Sequence, residues 1–114
     1  MITGIHGLVY TSDPEAVRAV FRDVFGWNHV DAGDGWLIFA LPPAELGVHP
    51  AERSDRRSIS VMCDDLASTM AELRAKGIEF AGEPEDEGYG ITATMLLPGG
   101  AELTLYEPRH PTAI

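Results

Sequence analysis

Apolar and polar residues alternate over residues 4–10: His6, Leu8 and Tyr10 fall on one side, and Ile5, Gly7 and Val9 on the other. This is the period-two spacing of a strand with two distinct faces. The period then changes. Ser12, Asp13, Pro14 and Glu15 combine capping oxygens, a proline suited to a first helical turn and an acid that complements the helix dipole. Val17, Val20, Phe21, Val24 and Phe25 follow at helical spacing, and Gly26 supplies a left-handed stop. Residues 4–27 therefore predict a strand and a capped helix whose apolar stripe packs on a sheet.

The same order returns from Ser58. SISVMC reads as a strand, Asp64 and Asp65 as cap candidates, Leu66, Met70 and Leu73 as a stripe, Gly77 as the stop and IEF as the next strand. A repeat of this size marks two related supersecondary units. Each unit continues with extended pieces. After the first helix, WNHVDAGDGWLIFALPPAELGVHP holds three, broken at Asp31–Gly35 and at Pro42-Pro43. After the second come IEFAG, the loop GEPEDEGYG, ITATMLL, the turn PGG and AELTLYE. The pattern predicts an α+β chain of two βαβββ modules in one domain. Module one covers about residues 1–50, a polar linker 51–57 and module two about 58–108, with a tail over 109–114.

Composition narrows the function classes. A chain of 114 residues with 45% hydrophobic content suits one globular core. No apolar run is long enough to span a membrane, the start lacks the features of a signal peptide, and a single cysteine, Cys63, fits a reducing compartment. A cytoplasmic location is the expectation. With 18 acidic and 8 basic residues the net charge is -10, which disfavours nucleic acid and anionic membranes as partners. An acidic surface also simply keeps a protein soluble. Asp64 and Asp65 beside Cys63 disfavour a thiolate, so a packed strand thiol is expected there and not a nucleophile. The acidic loop Glu83–Glu87 reads as an exposed segment, with a lid over a site as the alternative. Arg109 and His110 read as a solvated tail.

The paired modules, the opening His6 before a helix ending FGW, the segment CDDLASTMAELRAKGIEF and the finish LLPGGAELTLYEP together resemble the vicinal oxygen chelate superfamily, which contains glyoxalase I, bleomycin-resistance proteins and extradiol dioxygenases. The resemblance implies that the two modules' curved sheets enclose a cup that carries a ligand, often in a homodimer. It is specific for fold and unspecific for reaction. Enzymes of this superfamily hold a divalent metal with side chains from the first strand, the fourth strand, the start of the second module and the last strand. By that resemblance His6 and Glu107 stand at the first and last positions. On the fourth strand Glu45 and His49 are rivals, and Ser58 occupies the position that is usually histidine.

Two outcomes follow. If His49 turns inward, His6, His49 and Glu107 form a metal site for nickel, zinc, manganese or iron, with Glu45 as the catalytic proton carrier in a lyase, isomerase, transferase or dioxygenase. If it does not, the cup binds a small molecule without metal, as a sequestering protein does. Trp36, Tyr89 and Ser58 are the candidate ligand-contacting residues, the two aromatics by stacking on a planar molecule. Each residue also has a plainer role: a hydrogen-bonded strand histidine, a solvated terminal carboxylate, a core aromatic.

Overall fold

A computed structural model describes residues 6–45, 47, 48, 50, 52 and 58–114. Its α+β architecture has its weight in the second half. There the expected order is complete: β3 (Ser60–Met62), α2 (Leu66–Ala75), β4 (Glu79–Asp86), β5 (Gly90–Leu96) and β6 (Glu102–Pro108). The sheet order is β3-β6-β5-β4, with β3 parallel to β6 and the other pairs antiparallel. Asp65 caps α2, its carboxylate accepting from Ser68 N at 3.0 Å. After Lys76, Gly77 takes φ +93°, a left-handed conformation that ends the helix.

Register fixes which face each side chain takes. Phe80, Met95 and Leu103 are mutual partners across β4, β5 and β6, as are Ala93, Leu105 and Val61 across β5, β6 and β3. Met95 and Leu105 are almost wholly buried, and Ala93, Leu97 and Leu103 join them. Leu66 and Met70 of α2 close over this face. Alternation turns Thr92, Thr94, Thr104 and Tyr106 to the other face, where they remain half-exposed.

The first half adds a helix and a hairpin. α1 (Pro14–Ala19) is capped by Asp13 and runs into a π-helical turn, Val20–Val24, before Gly26 stops it at φ +70°. Its stripe packs on the second unit: Val17 is buried with Leu66, Met70 and Ile78, and Val20, Phe21, Val24 and Phe25 pack around them. Both helices thus seal one face of the same sheet. The hairpin β1 (His29–Asp31) and β2 (Leu37–Phe39) joins through aromatics, with Phe21 against Phe25, Trp27 and Phe39 at centroid separations of 5.6, 5.1 and 5.5 Å.

Module one is less regular than its pattern predicts. Residues 6–10 and 44, 45, 47 and 48, read as strand, lie outside regular secondary structure. The reason is burial. Leu8 and Tyr10 from one side of the alternation and Val9 from the other are all exposed, so no apolar face is gained by fixing a register there. The opening stretch still runs beside the start of β3, since a Cβ on Gly7 would sit 3.3 Å from Ile59 Cδ1. Among the described residues no helix is long and apolar enough to cross a membrane.

One turn joins the halves. Thr11 Oγ1 donates to Pro98 O at 2.7 Å and Ser12 Oγ to Gly99 O at 3.1 Å, which holds the start of α1 against residues 98–100. Gly99 has φ +76°, and a Cβ there would meet Thr11 Oγ1 and, at 2.6 Å, Asp13 N. Gly99→Ala therefore combines left-handed strain with a backbone collision. It should lower stability by more than the ~1–2 kcal/mol of the strain alone, measured by urea unfolding.

Candidate functional site

Glu107 illustrates how local chemistry settles a side chain's face. It lies on β6 in line with Leu103 and Leu105, on the helix-covered side, where the first amides of α2 lack intrahelical partners. Its Oε1 accepts from Leu66 N at 2.9 Å. Asp65 satisfies one orphan amide from within the chain turn, and Glu107 satisfies another from 41 residues away. The carboxylate is a helix cap, complementary to the dipole.

The open face of the sheet carries different chemistry. Thr94 and Thr104 are cross-strand partners, as are Thr92 and Tyr106, and Ser60 and Met62 extend these two rows onto β3. The result is a floor of hydroxyls with one aromatic end. At that end Tyr106 lies over Gly90, whose missing side chain makes the room: a Cβ there would strike the Tyr106 ring and approach Glu107 O to 2.6 Å. Tyr89 packs edge-on against Tyr106 at 5.9 Å. Glu45 completes the group, its Oε1 3.9 Å from Nε2 of His110, whose ring lies 5.9 Å from that of Tyr106. Burial, with Tyr89 and Glu45 nearby, pushes the Tyr106 phenol above its ordinary value, so it is neutral and able to donate at physiological pH.

Of the residues anticipated from sequence, Glu45 and Tyr89 are brought to one place, linked by Tyr106 and His110. The others are apart. Trp36 lies on the hairpin side, its ring 5.1 Å from the Arg18 guanidinium and about half exposed. Ser58 is exposed two residues ahead of β3, and His6 is exposed in the opening stretch. His49 falls outside the described residues. Hydroxyls at Thr92, Thr94 and Thr104, and the role of His110, went unread in the sequence. The alternation of ITATML and ELTLYE carried the signal, because Thr92, Thr94 and Thr104 alternate there with the apolar residues Ile91, Ala93, Met95, Leu103 and Leu105.

These placements bear on a divalent metal. Among the described residues no group of three or more His, Cys, Asp or Glu side chains is arranged to hold one. Glu107, the carboxylate expected to anchor it, faces the helices and is used there. The described donors do not fit the metal that the resemblance implies. Cys63 offers no substitute. Burial pushes its thiol up, only partly opposed by Thr69, and Glu107, Asp64 and Asp65 add to the rise.

The Glyoxalase/Bleomycin resistance protein/Dioxygenase superfamily model matches residues 5–110. The chain belongs to this superfamily. Solved structures agree on the fold. TnmS3, an antibiotic binding protein from Streptomyces sp. CB03234, is 22% identical with a TM-score of 0.67, over 94% of this chain and 97% of that one. A lactoylglutathione lyase from Agrobacterium tumefaciens is 17% identical with a TM-score of 0.64, over 92% of each. A glyoxalase/bleomycin resistance protein/dioxygenase from Nocardioides is 20% identical with a TM-score of 0.65, over all of this chain and 89% of that one. No curated protein matches the chain. At these identities the structural likeness is one of fold, and a binder and an enzyme both share it.

The cap assignment separates structure from chemistry at Glu107. Glu107→Ala should cost about 1 kcal/mol in urea unfolding, the usual loss for a helix cap, and should leave the metal content of purified protein, by elemental analysis, the same as wild type.

Proposed function

We propose that this superfamily member binds a small organic molecule on the open face of the β3-β6-β5-β4 sheet without a metal ion, in the manner of a sequestering protein. The supporting observation is the floor itself. Its side chains are threonine hydroxyls ending in a tyrosine pair and a carboxylate, groups that fix a ligand by hydrogen bonds and ring contact. A metal-dependent lyase or dioxygenase needs strong donors converging on that face. Glu107, expected to be one of them, accepts instead from Leu66 N on the helix-covered side. Similarity to an antibiotic binding protein fits the same reading.

A second copy of the chain is the expected macromolecular partner. Leu8, Tyr10 and Ile59 are 54%, 83% and 47% exposed, Gly7 of the opening stretch lies against Ile59 at the start of β3, and among the described residues β3 pairs with β6 alone. An apolar edge of this kind is normally covered. Sedimentation of wild type should give a dimer that Tyr10→Glu shifts to monomer; an unchanged monomer at all concentrations contradicts the pairing.

The binding reading is tested by fluorescence titration against a panel of aromatic antibiotics, with and without EDTA. Binding should survive chelation and fall at least about tenfold in Thr104→Arg, which places a long cation on the floor. Binding that disappears with EDTA overturns the metal-free reading.

A further inference from the structure

One end of the open face already has an occupant, and it is the chain's own tail. Beyond β6, Arg109 N–H donates to Tyr89 O at 2.9 Å and the Arg109 guanidinium meets Asp86 at 2.7 Å. That guanidinium, with the Gly88 N–H, holds the Asp86 carboxyl below the usual carboxylate range. The chain then curls. His110 Nδ1 lies 2.7 Å from Pro111 O, Thr112 Oγ1 donates to Ile114 O at 2.8 Å, and Glu45 Oε2 accepts from Ala113 N at 2.7 Å. The Glu45 side chain is 20% exposed, sheltered by the segment it holds.

The bonding of this contact is incomplete. Glu45 Oε1 stands 3.9 Å from His110 Nε2, beyond hydrogen-bond distance. Among the described residues the carboxylate accepts one N–H, that of Ala113. A planar cation with two N–H groups satisfies both oxygens at once, and a ring attached to it reaches the tyrosine pair.

Building on the binding reading above, we propose that Arg109–Ile114 is an internal ligand. It fills a corner made by Glu45, Tyr89 and Tyr106 and yields that corner to an amidine- or guanidine-bearing aromatic molecule. The tail offers a backbone N–H and a flat ring in the places where such a molecule offers a forked cation and its own ring. Occupation by the tail weakens binding by the cost of breaking the Ala113 bond, about fivefold for one hydrogen bond.

Benzamidine is the probe, cationic at pH 7.5 and of the stated shape, titrated into the full-length 15N-labelled chain and followed by NMR. Saturable shifts should appear at Tyr89, Tyr106 and Ala113, with the Ala113 amide exchanging faster as benzamidine saturates. Ala113→Pro removes the donor and should bind benzamidine about fivefold more tightly than wild type. Glu45→Gln should bind it at least about tenfold more weakly. Equal affinity in wild type and Ala113→Pro overturns the proposal. Antibiotics that bind through EDTA while benzamidine leaves Ala113 protected also overturn it, though the metal-free binding reading then stands. Benzamidine that releases Ala113 when no antibiotic binds supports the internal ligand alone.

Discussion

The two-faced sheet of residues 60–108 governs the rest of the molecule. Antiparallel alternation leaves each side chain of β5 and β6 one of two environments: Ala93, Met95, Leu103 and Leu105 take one face, and Thr92, Thr94, Thr104 and Tyr106 the other. Met95, Leu103 and Leu105 draw both helices to one side. The opposite side is thereby left to Thr92, Thr94, Thr104 and Tyr106. A shift of one residue in the β5–β6 register would exchange the two sets, so the same hydrophobic burial that stabilises the fold also determines which side chains the open face presents.

Glu107 shows the consequence for chemistry. A carboxylate at the last strand of this superfamily invites a reading as metal ligand, yet its position in line with Leu103 and Leu105 sends it to the first turn of α2. There it meets an amide that has no other acceptor. Such a bond both anchors α2 to β6, an inner strand of the sheet, and keeps the carboxylate off the open face. Glu45 is the acid that does reach the open face, from an irregular stretch of module one, in the company of Tyr106 and His110.

Much of this was legible in the residues. The second unit reads off its pattern in the right order, because its strands bury one face and its helix begins at Asp65 and stops at Gly77. The first helix is equally plain from Asp13, Pro14 and its stripe, although periodicity does not reveal that the stripe packs on the other module's core. Residues 6–10 mislead because alternation predicts a strand only where a face is buried, and Leu8, Val9 and Tyr10 are all exposed. The site was harder. Alternation along ELTLYE puts Glu107 on the face of Leu103 and Leu105, but that face's identity depends on where the helices lie. Glu45 and Tyr89 come together through tertiary contacts with a tail that reads, in one dimension, as solvated.

The account stands on Glu107 being engaged with the first turn of α2, on the side away from the open face. Manganese titrated into the 15N-labelled protein tests this directly, because a bound paramagnetic ion broadens the amide signals around it. The account predicts weak, diffuse broadening spread over the acidic surface, with Leu66 and Glu107 no more affected than other residues. Selective loss of the His6 and Glu107 signals at stoichiometric manganese would contradict it.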